Sequence, residues 1–292
     1  MRQRGRKAST RLVTEGAGDP TYGQQYFEEY RLATGNVAYE NNDHLQRFFR
    51  SVADHVVHDI GPKTVLDAGC AMGFLVAALR DRGVEAYGVD ISRYAIDRVR
   101  PDVKAYCRQG SVTEPLPERY DLIVCVEVLE HLAAEDALRA VANLCAATSD
   151  VIFSSTPGDH EEPTHVNVQP PEWWTEAFAR EGFYRDVDYD PSTYLSPWAV
   201  RYRRSRDTVA RTVSGYERLM WRVKTENQAL RQSSQQLRDR VEQLETTVFE
   251  LERIKQTAGY RIQNAPKKLA QRLFPAQTGR GRWLRGFVRS GS

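Results

Sequence analysis

Glu127, Glu130 and His131 stand at i, i+3 and i+4, a spacing that gathers three side chains on one face of a helical turn. Two carboxylates and an imidazole so placed suit a divalent cation such as Mg2+ or Mn2+, and His165 downstream would supply a fourth ligand. An ion held there would lower the pKa of a coordinated hydroxyl and orient it. The same residues have a use without metal. An imidazole with a pKa near about 6.5 takes a proton from a hydroxyl, so His131 or His165 serves as general base with Glu130 beside it. In a third reading, the Glu or His caps a helix or touches cofactor and substrate.

A second group precedes these. Asp67, Gly69, Gly73 and Asp90 lie around a run of strand, glycine turn and helix start. The two glycines let backbone pass close to a ligand, and ligands of open α/β sheets bind at the carboxyl ends of the strands. A dinucleotide fingerprint would need glycine at 69, 71 and 74, but Ala71 and Phe74 stand there, which disfavours NAD. A carboxylate ending the second strand, Asp90, can accept both hydroxyls of a ribose. Asp67 is placed to organise the ammonium end of a zwitterionic amino acid. Both features suit S-adenosylmethionine.

The runs VLDAGCAMGF, GVDIS and YDLIVCVEVLEHL resemble the class I S-adenosylmethionine-dependent methyltransferases over roughly residues 60–190. The resemblance implies that Gly69, Cys70, Ala71 and Gly73, with Phe74 opening the helix, line the methionine and ribose. It places Ile91 beside adenine, Gly110, Ser111 and Val112 along the edge of the base, and Glu127 against the cofactor. Many relatives carry Asp or Asn where Ser111 stands. The segment Cys125-Val126-Glu127-Val128 replaces the Asn-Pro-Pro-Tyr motif of amide and adenine N-methylating branches, and no Pro-Cys nucleophile is present. Oxygen is then the favoured acceptor. Glu-x-x-Glu-His is similar to that of the O-methyltransferases of ubiquinone synthesis and of the small-RNA ribose methyltransferases. The expected activity is O-methylation of a hydroxylated small molecule or a saccharide, including a cell-surface glycan. A metal-dependent RNA ribose 2′-O-methyltransferase and a coiled-coil scaffold with an inactive methyltransferase domain are the alternatives.

These residues need a frame that brings strand ends together. Short apolar runs at 64–68, 86–90, 103–107, 121–126 and 151–154 alternate with amphipathic ones at 73–82, 93–98, 134–147 and 171–181. Such alternation specifies an α/β fold, a Rossmann-like, doubly wound, mostly parallel sheet. Runs at 184–188 and 199–203 predict a closing antiparallel pair, and helical spacing at 22–31 and 41–59 predicts leading helices ended by Gly61-Pro62. Trp173 and Trp174 are open between acceptor stacking and core, and Tyr22, Tyr26 and Tyr30 between a lid and packing. The polar loop 154–165 suits a sugar-like acceptor.

Beyond residue 206 the pattern becomes one long heptad helix. Met220, Asn227, Ser234, Val241 and Val248 take position a, with Tyr216, Val223, Leu230, Leu237, Leu244 and Leu251 at d. Leu at d with Asn at a predicts a parallel homodimer. The domains read as a disordered basic tail 1–20, a methyltransferase domain 21–205, a coiled coil 206–258 and a basic amphipathic tail 259–292. The last segment carries eight Lys or Arg and no acid against a whole-chain charge of +2. It reads as a solvated tail or a peripheral membrane contact, with nucleic acid disfavoured because the rest of the chain is acidic. Methyltransferase, coil and such a tail resemble the layout of bacterial polysaccharide chain-terminating methyltransferases. Four cysteines without paired spacing, and no span-length apolar run, predict a cytoplasmic protein, with a peripheral place at the inner membrane face as the alternative.

Overall fold

The computed structural model describes residues 22–33, 42–205 and 208–273, with side chains at 22–28, 42–205 and 208–256. The chain divides into two units, Met1–Tyr216 and Glu217–Ser292.

The first unit is built on a seven-stranded sheet. Its strands are β1 (Thr64–Ala68), β2 (Glu85–Asp90), β3 (Cys107–Gln109), β4 (Leu122–Val126), β5 (Asp150–Ser154), β6 (Phe183–Arg185) and β7 (Val200–Arg204). They lie in the order β3-β2-β1-β4-β5-β7-β6. Strands β1 to β5 run parallel. The expected closing pair is present: β7 inserts antiparallel between β5 and β6, with Asp150 opposite Arg203 and Phe153 opposite Val200. Arg201 fixes that register from within, donating through Nε to Asp150 Oδ1 at 2.8 Å.

Alternation along each strand divides the core into two layers. Val65, Leu122, Val124 and Ile152 face one side, where they meet Val52, Val56, Leu75 and Leu79. Leu66, Ile123, Val151 and Phe153 face the other, against Val141, Leu144, Trp174 and Phe178. The helices that supply the first layer are α2 (Asp43–His55) and α3 (Phe74–Arg80). Those of the second are α5 (Ala134–Ala147) and α6 (Pro171–Arg180). Asn42 caps α2 by accepting from the amides of His44 and Leu45. Gly61, at φ 68°, ends the π-helical turn Val56–Ile60 that extends it. The short helices α1 (Gln24–Ala33) and α4 (Arg93–Asp97) complete the unit.

Two strand expectations shift. Residues Lys104–Tyr106 form a 3-10 turn instead of the third strand. Pairing begins only at Cys107, where Gly88 comes alongside; before that, Val103 and Tyr106 are turned by amide bonds to Arg100 and Val103 carbonyls. The sixth strand comes early, at Phe183, because Gly182 at φ 78° turns the chain directly out of α6. Trp174 belongs to the core, 2% exposed and 5.1 Å from the Phe153 ring, which removes it from the acceptor-stacking reading.

The last helix, α7 (Val209–Leu273), is continuous over 65 residues, so the expected boundary at 258 is not a break in the helix. The second unit takes all but its first turns. Residues 1–20 and 274–292, with the N-terminal tail and Trp283, lie outside the described residues. Among the described residues no helix is long and apolar enough to cross a membrane.

Candidate functional site

The turn between β1 and α3 is set by backbone sterics. Gly69, Ala71 and Gly73 have φ of 89°, 44° and 71°, so the chain curls in the left-handed region three times in five residues. The amides of Gly69 and Cys70 both reach the carbonyl of Val89, at 2.8 and 3.1 Å, which ties the turn to β2. A Cβ on Gly69 would lie 2.2 Å from Val128 Cγ2, and one on Gly88 would lie 2.6 Å from Cys70 Sγ. The backbone passes here with no room for a side chain.

Asp90, at the end of β2, faces this turn. Its Oδ2 accepts from the Ala71 amide at 2.7 Å and its Oδ1 from the Ser92 amide at 2.8 Å. Each oxygen keeps a lone pair for a hydroxyl donor. Burial raises the Asp90 pKa against the pull of these two amides. Asp67 is 8% exposed, and burial together with the Asp90 charge pushes its carboxyl up to about 8. Among the described residues no cationic side chain pairs with either acid. The ammonium of S-adenosylmethionine would supply the missing positive charge and its ribose the missing donors, so the residues fit that cofactor.

The other expected cofactor residues divide. Ile91 is half-buried, and its carbonyl accepts from Gln109 Nε2 at 3.3 Å. Gly110 donates its amide to the Asp90 carbonyl at 2.8 Å, which brings the loop after β3 to the same edge. Ser111 turns its hydroxyl to Thr113 Oγ1 at 2.8 Å. Val112 is buried in the second core layer and presents no side chain to a ligand. The Phe74 ring lies 6.1 Å from Phe49, packing toward α2. A cavity of about 380 Å³ on that side is lined by Arg50, Phe74, Asp81, Arg98 and Arg100 among others, and includes neither Asp90 nor His131.

Past β4 the chain does not make the single helical face that the i, i+3, i+4 spacing predicts. Glu127 takes φ 52°, and only Leu129–His131 forms a 3-10 turn, so the three side chains do not share an α-helical face. Glu127 accepts from Ser154 Oγ at 2.6 Å, and from the amide and Oγ1 of Thr156 at 3.1 and 2.7 Å. Burial works to raise its pKa, but Glu130 and these hydroxyl and amide donors outweigh burial and hold it below the usual value. Glu130 is fully buried and no donor reaches its oxygens. Burial, then the neighbouring Glu127, pushes its pKa up to about 9. Glu130 therefore keeps its proton at neutral pH beside the Glu127 carboxylate.

His131 sits across from them. Its Nδ1 lies 3.3 Å from the Thr164 carbonyl, which selects the Nδ1–H tautomer and leaves the Nε2 lone pair open. Burial, and then His165, lowers its pKa below 6.5. The His165 ring stands 4.6 Å away, edge to face, with Nδ1 3.1 Å from the Asp159 carbonyl. Tyr22 and Tyr26 close over His131 with centroids at 5.6 and 6.5 Å. Ser92 Oγ donates to the Tyr22 carbonyl at 2.5 Å, fastening this N-terminal segment to the residues beside Asp90. The side chain of Tyr30 lies outside the described residues.

The four-ligand metal cluster is not assembled. Among the described residues, no group of three or more His, Cys, Asp or Glu is arranged to hold an ion. Glu127 accepts instead from Ser154 and Thr156, and each histidine sets Nδ1 on a backbone carbonyl. Sequence reasoning did not single out Ser92, which joins the Tyr22 segment to the cofactor edge, although its place as N-cap of α4 was a signal. It also missed Val128, the wall behind Gly69, and Ser196, whose Oγ lies 3.5 Å from Glu127.

The chain is 28% identical over 179 residues to the O-antigen chain terminator bifunctional methyltransferase/kinase WbdD of Escherichia coli, covering 56% of this chain and 25% of that one. It is 32% identical over 114 residues to a ubiquinone biosynthesis O-methyltransferase of Alkalilimnicola ehrlichii, covering 35% and 46%. The chain thus spans a quarter to a half of the length of these relatives. A solved magnesium protoporphyrin IX methyltransferase of Synechocystis is 21% identical, with 63% of this chain and 96% of that one aligned at a TM-score of 0.49. The Methyltransf_23 model, described as a methyltransferase domain, matches residues 34–186, more than half of the sequence, and the chain belongs to that family.

Proposed function

We propose that this chain transfers the methyl group of S-adenosylmethionine to a hydroxyl oxygen of a polar acceptor, a small hydroxylated molecule or a saccharide. The observation that carries the reading is the Asp67 and Asp90 pair around the Gly69–Gly73 turn, buried acids with which no cationic side chain pairs among the described residues. The cofactor, when bound, supplies an electrophilic methyl on a sulfonium. Asp90 holds the ribose hydroxyls, Asp67 sits against the ammonium, and the Gly69–Gly73 turn takes the methionine stem. The Nε2 atom of His131 takes the acceptor's proton, a role suited to a neutral imidazole. Tyr22 and Tyr26 cover His131 and exclude water from that side. Glu127, held as an anion by Ser154 and Thr156, accepts a further donor from the acceptor or cofactor, and Glu130 positions it.

The choice of oxygen as acceptor is supported by the names of the relatives, one a ubiquinone biosynthesis O-methyltransferase and one an O-antigen chain terminator. Among the described residues no group of three or more His, Cys, Asp or Glu is gathered to hold Mg2+ or Mn2+, and no step uses a metal. Calorimetric titration with S-adenosylmethionine and S-adenosylhomocysteine tests the cofactor, and transfer of labelled methyl to catechol-type and sugar acceptors tests the acceptor class. Absence of cofactor binding at high micromolar concentration would overturn the reading.

A further inference from the structure

The second unit carries its own information, independent of the transfer reaction. Along α7 the apolar a and d residues stay exposed: Leu230 is 70%, Leu237 64% and Leu251 59% exposed, and Met220, Val223, Val241, Leu244 and Val248 are about half exposed. Among the described residues nothing covers this seam, and a contiguous apolar stripe of this length on a surface marks an interaction site. Its period is 3.5 residues over residues 220–251, about 48 Å of helix at 1.5 Å per residue.

We infer that residues 220–251 pair with the same segment of a second copy of this chain, as a parallel, in-register, two-stranded coiled coil. Two independent features select that occupant. The first is at the core. Asn227 is at position a, and in parallel register it meets its own counterpart, so each amide finds a donor and an acceptor. In antiparallel packing position a faces position d of the partner, which would bury Asn227 against an apolar residue. The second is at the flanks. Parallel strands bring position g beside position e of the partner's next heptad. Here g Glu226 faces the partner's Arg231, and g Arg240 faces the partner's Glu245. Both contacts are attractive, and each occurs twice by symmetry. The remaining flanking contacts, Ser233 with the partner's Arg238 and Thr247 with the partner's Glu252, are neutral. A polar layer at Ser234 marks the weakest part of the seam. The consequence is that both chains enter the coil from the same end, so one assembly presents two transfer domains together.

Sedimentation equilibrium on the full chain is expected to give twice the chain mass, and Leu237→Asp, an exposed change, to give the single mass with the helix retained. Asn227→Cys is expected to cross-link two chains on oxidation; the four native cysteines are buried and do not compete. Glu226→Arg should weaken association at least tenfold at low salt, and adding Arg231→Glu should restore it. A monomer or a trimer for the natural chain overturns the proposal. So does a dimer in which Asn227→Cys fails to cross-link, or one in which the charge reversal is neither harmful nor rescued.

Discussion

Asp90 Oδ2 holds the amide of Ala71 at 2.7 Å, so the acid that ends one strand also fixes the turn that ends its neighbour. Removing the carboxylate therefore loosens the cradle as well as losing the ribose contacts. Asp90→Ala is expected to weaken S-adenosylmethionine binding by 10- to 100-fold or more, corresponding to about 1.5–3 kcal/mol for hydrogen bonds to a charged group. Calorimetry checks the affinity. Unchanged affinity would remove Asp90 from the cofactor site.

Asp67 makes cofactor binding a proton-release reaction. With its pKa up to about 8 it is mostly protonated at pH 7, and a bound ammonium favours the carboxylate. Affinity should rise about tenfold per pH unit up to pH 8 and then level off. Titrations in buffers of different ionisation enthalpy should show close to one proton released at pH 7. Asp67→Asn should abolish that release.

His131 predicts the shape of the activity profile. Its pKa lies below 6.5 because burial disfavours the imidazolium, so the free base is present throughout the neutral range. The kcat/KM value should rise with pH through that depressed pKa and be flat above pH 6.5 as far as His131 is concerned. His131→Ala should cost about 100-fold or more in kcat, with S-adenosylhomocysteine affinity unchanged. A profile that keeps its acidic limb in the variant would shift the base elsewhere.

Glu130 is distinguishable from a metal ligand. Its pKa moves from 4.5 to about 9 on folding, so the native state holds a proton that the unfolded chain has lost between those values. Stability contributed by that proton is full below pH 4.5 and is lost as pH rises through about 9. Glu130→Gln keeps a polar side chain of the same size beside Glu127 without a titrating group. It should flatten the decline in Tm between pH 6 and 9 and retain activity within a few-fold, and chelator should leave both proteins active. A loss of activity in chelator restored by Mg2+ would reverse the assignment.

Gly69 tests the backbone. At φ 89° with 2.2 Å to Val128 Cγ2, Gly69→Ala combines an unfavourable conformation with overpacking and should destabilise by about 2–4 kcal/mol. Urea denaturation measures it. Adding Val128→Ala should recover only part, since the clash goes and the strained φ stays.

The sheet was legible because its strands follow a two-residue rhythm between helices of 3.6-residue period. Val65 and Leu66, or Ile123 and Val124, announce their opposite faces in the sequence. The cofactor edge was legible for a related reason: Gly69 and Gly73 answer to local sterics, and Asp90 closes a strand whose end was visible. The residues after β4 were not legible in the same way. The i, i+3, i+4 rule presumes a helix, and the left-handed Glu127 at φ 52° breaks the phase before Glu130 is reached. Nor does spacing reveal that Thr156 and Ser154, on the neighbouring strand end, satisfy Glu127. That contact is 27 to 29 residues away in sequence and exists only because β5 lies beside β4.

The reversed strand β7 sets where the chain leaves its sheet. Because Arg203 pairs with Asp150 at the start of β5, the backbone exits at Arg204 on the edge opposite the Gly69–Gly73 turn. Whatever sequence is joined after that residue therefore starts from the amino ends of the parallel strands, away from the Gly69–Gly73 turn at their carboxyl ends.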